Sequence, residues 1–254
     1  MDLSKRGIII QARTGSTRYP LKIVRPFYKE SSILELLIQR LRNNPFKLPV
    51  YVATTQLPDD DQIEEICKQL TIPCFRGANE DVLKRFIDTA QTHDIEKIVR
   101  VCADNPFLNL NLLSELVEKA LDNECDYASF QVFGDTPAIK THFGFFTEFV
   151  TLKALEEVSR STNEKLYHEH VTNYIYTHSD QFRILWIPAP ELLNKYRDIR
   201  LTIDTANDFE IGQQLYEYII NTKKDFGLSP IIEALEKHPQ WRDVMKSQIQ
   251  KNEK

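Results

Sequence analysis

The chain has 254 residues, 42% of them hydrophobic and 27% charged, with a formal net charge of −5. That length suits one domain over 1–254 with a sizeable core, for which 14 Phe and 10 Tyr supply bulk. The acidic balance argues against a nucleic-acid partner, which needs a basic footprint. No apolar run approaches the roughly 18–20 residues that cross a bilayer.

Gly7 to Ala12 is a short, β-branched apolar run, as expected of a strand buried on both faces. A polar loop, Arg13 to Lys22, follows. Ser31 or Ser32 then caps a helix with apolar residues at Ile33, Leu34, Leu37, Ile38 and Leu41. Val50 to Thr54 reads as a second strand. Asp59 to Leu70 reads as a helix, opened by Pro58 and acidic residues that suit the positive end of its dipole. Pro73 to Phe75 is a short strand, Glu80 to Ala90 a helix, Lys97 to Cys102 a buried strand, and Asn111 to Asp122 a helix. Repeated units of this kind predict an α/β fold with a mostly parallel sheet flanked by helices.

The second half is less regular, and 131–190 forms an irregular region. Thr147 to Ser159 and Glu164 to Thr177 read as helices, and Phe182 to Ile187 and Arg200 to Ile203 as strands. Asn207 or Asp208 would cap a helix running to about Ile220. Two further helices, Ser229 to Lys237 and Gln240 to Gln250, close the pattern.

Cys67, Cys74, Cys102 and Cys125 are scattered without a CxxC pair, so they read as reduced thiols. Met1 to Arg6 is short and polar and has no signal-peptide apolar stretch. A cytoplasmic location is the expectation.

In an open parallel sheet, ligands bind outside the carboxyl ends of the strands. The first strand leads into Ala12-Arg13-Thr14-Gly15-Ser16-Thr17-Arg18-Tyr19-Pro20-Leu21-Lys22. A turn at Gly15 can aim N–H groups at an anion. Arg13, Arg18 and Lys22 add charge-assisted donors for phosphate oxygens. Neither a Walker A loop nor a dinucleotide fingerprint is present. A solvated basic loop is the plain alternative, and the loop's place after the first buried strand favours phosphate.

Asp104 follows the fourth strand, and a carboxylate there suits Mg²⁺ or Mn²⁺. Taken alone it equally suits a turn before Pro106. Asp204 follows the Arg200 to Ile203 segment and has no evident capping role. For Asp208, a helix cap outranks metal binding. His168, His178, His238 and His93 read as satisfied or exposed histidines. His142 and His170 stay open.

The segments QARTGSTRYPLK, VATTQLPDDDQIEEIC, FRGANEDVLKRF, IVRVCADNPF, HEHVTNYIY and RLTIDTANDFE occur in an order that resembles cytidylyltransferases of the spore-coat polysaccharide biosynthesis protein F type. These are relatives of the acylneuraminate and Kdo cytidylyltransferases. The resemblance covers roughly 7–220. It implies a Rossmann-like, nucleotide-diphospho-sugar transferase fold and transfer of CMP from CTP to a sugar or sugar acid, with release of pyrophosphate. It further implies that Arg13, Ser16, Arg18 and Lys22 line the triphosphate and that Asp104 and Asp204 hold Mg²⁺. The Ala53-Thr54-Thr55 segment, with Arg76, would lie near the base or ribose. Arg100, His142, Glu169 and His170 would face the acceptor. A homodimer is also implied, with 131–190 on the acceptor and dimerisation side. Where the family shows Leu-Pro-Gly-Lys this chain has Tyr19-Pro20-Leu21-Lys22, which replaces a permissive backbone position. Acceptors other than sugars, such as phosphorylated polyols, and a nucleotide-sugar-dependent glycosyltransferase are the competing chemistries.

Overall fold

The computed structural model describes residues 5–251. The first strand, β1 (Arg6–Gln11), is followed by a two-stranded antiparallel pair, β2 (Pro26–Tyr28) and β3 (Ser31–Ser32), and helix α1 (Ile33–Arg42). Ser32 caps α1 in a capping box with Glu35. Next come β4 (Val50–Thr55), α2 (Asp61–Gln69), β5 (Cys74–Gly77), α3 (Val82–Thr92), β6 (Lys97–Cys102) and α4 (Leu110–Asp122). These agree with the expected alternation to within two or three residues. Only the entry to α2 differs, because Pro58–Asp60 forms a separate 3-10 turn.

The second half departs further. Strand β7 (Tyr127–Val132) was not foreseen, and it carries the two-residue β8 (Thr136–Pro137) at its end. Thr147 to Ser159, expected to be helical throughout, opens as β9 (Glu148–Thr151) and becomes helical only in α5 (Leu152–Ser161). Phe149 and Val150 are buried in the sheet, and Thr151 caps α5. Glu164 to Thr177 is two short helices, α6 (Lys165–Glu169) and α7 (Asn173–Thr177). The break falls where Val171 and Thr172 turn inward and are buried. Strand β10 (Ile184–Pro188) follows, then α8 (Ala206–Thr222), α9 (Leu228–Lys237) and α10 (Pro239–Lys251). Thr205 caps α8, with Asp208 as the reciprocal partner of the box. Arg200 to Ile203 is no strand; it is an extended segment hung on two carbonyls, Leu201 N–H donating to His142 and Ile203 N–H to Asp104.

The main sheet runs β10-β7-β9-β6-β1-β4-β5, with β8 beside β7. β9 is antiparallel to both neighbours, whereas the β1, β4, β5 and β6 ladders are parallel. Ile8 and Ile10 of β1 pack with α1 and α4 residues such as Leu37 and Leu113. Ile9 faces the other side, with Phe86 of α3 and Leu155 of α5. This is why the strands are apolar throughout: helices cover both faces.

After β1 the chain builds outward through β4 and β5, then returns to place β6 on the other side of β1. That reversal opens a crevice at the carboxyl ends of β1 and β6. The loop after β1 and the turn after β6 therefore meet.

Candidate functional site

The loop after β1 is pinned rather than free. Thr14 donates through both its N–H and its hydroxyl to Asp60 Oδ1, each at 2.7 Å. The other oxygen of Asp60 receives the N–H and hydroxyl of Thr55 at the end of β4. Asp60 is thus turned inward, where the sequence alone suggested only a contribution to the helix dipole. Burial opposes its ionisation, but hydrogen bonds from Thr55 and Thr14 outweigh that and hold its pKa below the usual carboxylate value.

The special backbone of the loop lies at Leu21, whose φ is 62°, and not at Gly15, which has no positive φ. Leu21 therefore adopts the left-handed conformation that the family's glycine would take freely. Its N–H donates to Thr14 O at 3.0 Å, closing the loop. The strained residue delivers Lys22 inward.

Lys22 is buried, and its Nζ reaches Asp104 Oδ2 at 2.9 Å, Asp204 Oδ1 at 3.5 Å and Ile203 O at 2.5 Å. Burial lowers its pKa, and the attraction of Asp104 and Asp204 more than offsets this, so the ammonium titrates above its ordinary value. Asp104 lies in the turn two residues beyond β6, and Asp204 just before the cap of α8. Arg18 also reaches Asp204 Oδ1, at 2.9 Å.

Asp204 is held from behind by a residue that the sequence did not single out. Arg200 is fully buried. It donates from Nε and Nη2 to the two oxygens of Asp208 at 2.8 and 2.9 Å, and from Nη2 to Asp204 Oδ2 at 3.0 Å. Its Nη1 meets His142 Nδ1 at 2.5 Å. Asp208 Oδ2 in turn accepts the N–H groups of Asp204 and Thr205. Two charges spaced eight residues apart across a helix cap were the available signal. His142 thus supports Asp204 through Arg200 and lies outside the cavity lining.

A cavity of about 610 Å³ opens beside this cluster. Its lining includes Arg18, Asp104, Asp204, His170, Asn173 and Tyr176. Lys140 stands at the rim, 5.0 Å from the Tyr176 ring. The floor is a buried polar network. Glu148 pairs with Arg100 and accepts from Tyr127 at 2.5 Å and Thr172 at 2.9 Å, while Arg100 also donates to Gln11 at 3.0 Å. Burial disfavours the Arg100 charge, but Cys102 and Glu148 raise its pKa above the ordinary value. Burial, aided by Glu148, pushes the Tyr176 phenol up to about 12. Gly144, at φ 67°, also lines the cavity; a Cβ there would lie 2.8–3.0 Å from the backbone of Leu201 and Thr202. Only glycine lets the Asp204 segment pass so close.

Of the expected site residues, Arg18, Arg100, Asp104, His170 and Asp204 share this cavity. Glu169 lies 3.6 Å from Arg13 across the crevice. Ala12 is anchored by its N–H to Ala53 O at 3.1 Å, and Ala53 and Thr54 are fully buried in β4. Ser16 folds back on Thr14 O at 2.8 Å, and Gly15 is exposed, with no protein atom within 4 Å of a Cβ built there. Arg76 is not brought to the cavity. It closes the turn after β4 through Asp61, Glu64 and the carbonyls of Thr55 and Leu57, at 2.6–3.0 Å.

Arg85, unremarked in the sequence, is fully buried near Arg13. It donates to Ala78 O at 2.6 Å, but its Nε and Nη2 have no partner. Burial, and next Arg13, push its pKa down to about 10.

Asp104 and Asp204 converge on one point, marked by Lys22 Nζ. Two carboxylates with room for phosphate and water oxygens fit the ligand chemistry of Mg²⁺. Among the described residues there is no group of three or more His, Cys, Asp or Glu suited to a metal. A cation held here would complete its shell from the nucleotide and water.

A basic loop and two carboxylates at the switch point of a parallel sheet make a candidate nucleotide-binding site. Comparison with known proteins makes this particular. The family model described as "Cytidylyltransferase" matches residues 7–250, and the chain belongs to that family. It is 33% identical over 236 residues to the spore coat polysaccharide biosynthesis protein SpsF of Bacillus subtilis, covering 91% of this chain and 94% of that protein. A solved cytidylyltransferase from Leptospira borgpetersenii is 32% identical, with a TM-score of 0.82 over 93% of this chain and 96% of that one. The CMP:2-keto-3-deoxy-manno-octonic acid synthetase, solved with CTP, shares the fold at 14% identity, with a TM-score of 0.63 over 85% of this chain and 99% of that one.

Proposed function

We propose that the protein transfers CMP from CTP to a sugar or sugar-acid acceptor, releasing pyrophosphate, in the biosynthesis of a surface polysaccharide or glycoconjugate. The observation that carries this reading is the Lys22–Asp104–Asp204 cluster, which lies under the basic loop at the wall of the 610 Å³ cavity. The cavity is roomy enough for a sugar, and its hydroxyl and amide groups suit a polyhydroxylated acceptor. Family membership supports CTP as the donor.

The triphosphate lies against Arg13, Ser16, Arg18 and Lys22, with the acceptor in the cavity beyond. An acceptor oxygen then attacks the α-phosphorus in line, and the chain's own part is positioning and charge. Arg13 and Arg18 offset charge on the departing pyrophosphate. Asp104 and Asp204 would hold Mg²⁺, which would polarise a phosphate oxygen and lower the pKa of the acceptor hydroxyl. A cytoplasmic location and a homodimer belong to the same reading; light scattering in solution checks the latter.

The test is pyrophosphate release with each of the four nucleoside triphosphates and Mg²⁺, against acidic sugars and phosphorylated polyols. Release with CTP that depends on one sugar acceptor is the expected result. Release that prefers another nucleotide, or depends on a polyol phosphate, would overturn the reading in that respect.

A further inference from the structure

An ammonium group has three N–H donors, and at Lys22 three protein acceptors stand around them: Asp104 Oδ2, Asp204 Oδ1 and the carbonyl of Ile203. Lys22 therefore has no donor left for a phosphate while it keeps this arrangement. Asp204 is equally engaged, with Arg18 and Lys22 on Oδ1 and Arg200 on Oδ2. Counted with Asp208, the cluster holds three carboxylates and three cations, namely Lys22, Arg18 and Arg200. It is neutral as it stands.

A dication entering alone meets no net attraction there, and its best position, between Asp104 and Asp204, is where the Lys22 ammonium sits. Both cannot bind the same two oxygens in a partly desolvated site, because like charges a few ångströms apart repel strongly at low dielectric. Arg200 is fully buried and tied to Asp208 on two atoms, so it stays. The Lys22 ammonium can move because it is carried on a long flexible stem, and the phosphates offer it new acceptors.

We propose that Lys22 is a placeholder cation: it occupies the gap between Asp104 and Asp204 until the metal and the nucleotide arrive together, then swings to the phosphates as the metal takes its place. This rests on the reading of the two aspartates as the metal-holding pair. It makes binding of metal and nucleotide mutually dependent, and it keeps the two carboxylates from repelling each other in the empty crevice. The backbone strain at Leu21 lies next to the residue that moves.

Mn²⁺ binding to the full-length protein, followed by the electron paramagnetic resonance signal of free Mn²⁺, tests it without reference to turnover. Wild type is expected to bind Mn²⁺ weakly alone and far more tightly with CTP. Lys22→Met should bind Mn²⁺ alone at least ~10-fold more tightly than wild type, since the cluster then carries a net negative charge at the gap. Lys22→Arg, which keeps the cation, should not. Adding Asp204→Asn to Lys22→Met should abolish the gain. Lys22→Gln provides the same comparison should the methionine variant fail to fold. Equal affinity for Mn²⁺ alone in wild type and in Lys22→Met, with Asp204→Asn still weakening Mn²⁺ binding in the presence of CTP, would overturn the placeholder role and leave the metal pair standing. If neither Asp104→Asn nor Asp204→Asn altered Mn²⁺ binding with CTP, the metal pair and the proposal would fall together.

Discussion

Asp60 commits both carboxylate oxygens to threonines, Thr14 of the loop and Thr55 of β4, and so clamps the loop to the sheet. Asp60→Asn leaves one set of donors facing an amide that cannot accept them. The expected cost is about 1–3 kcal/mol at pH 7, the usual penalty for an unsatisfied buried group, read by urea unfolding. Because the folded pKa of Asp60 lies below the ordinary 3.8, its ionised form stabilises the fold fully above that value. The stabilisation is lost as pH falls through the depressed one, so wild type and variant should converge there. Leu21 makes a second case. Left-handed backbone costs a non-glycine residue roughly 1–2 kcal/mol, partly offset because glycine loses more freedom on folding. Leu21→Gly is expected to be neutral or stabilising by up to ~1 kcal/mol, and Leu21→Ile, β-branched at a positive φ, to be clearly destabilising. Reversed order in the denaturant midpoints would contradict this. The sequence showed that a glycine was missing, but whether leucine would take up its conformation was a question of tertiary closure. That closure comes from the bond between Leu21 and Thr14.

Element by element, legibility followed the environment of each segment. Strands β1, β4 and β6 are covered by helices on both faces and read as unbroken apolar runs, so they were plain. β9 is four residues long and leads directly into α5, and the helical pattern of α5 absorbed it. Arg200 to Ile203 has strand-like composition because Leu201 and Ile203 are buried, yet its N–H groups go to a loop carbonyl and a turn carbonyl instead of a ladder. This segment carries Asp204, and its close approach to Gly144 makes that glycine critical. Gly144→Ala should displace the 200–204 segment, lowering both stability, by about 1–3 kcal/mol as for other overpacked sites, and turnover. Gly134→Ala, at a positive φ in open space, is the control: it shares the backbone penalty but should leave turnover intact.

Across the whole molecule, the site is assembled at the reversal of strand order, and this part of it was readable: a basic loop after the first strand and an aspartate after the fourth had to meet. The cavity floor was not readable. Gln11, Arg100, Glu148 and Thr172 lie far apart in sequence, and nothing local in any of them announces the network that joins them. Arg200 was missed although Asp208 stands only eight residues on, because its burial and its contact with His142 depend on tertiary packing. The central claim is that this crevice performs nucleotidyl transfer through the two aspartates. It is tested most directly by steady-state pyrophosphate release by Asp204→Asn at saturating Mg²⁺, with CTP and the acceptor that wild type uses. The variant should retain its fold by circular dichroism and lose at least ~10²-fold in turnover, the scale of removing one preorganised electrostatic group. Turnover like that of wild type would remove Asp204 from the chemistry and contradict the account.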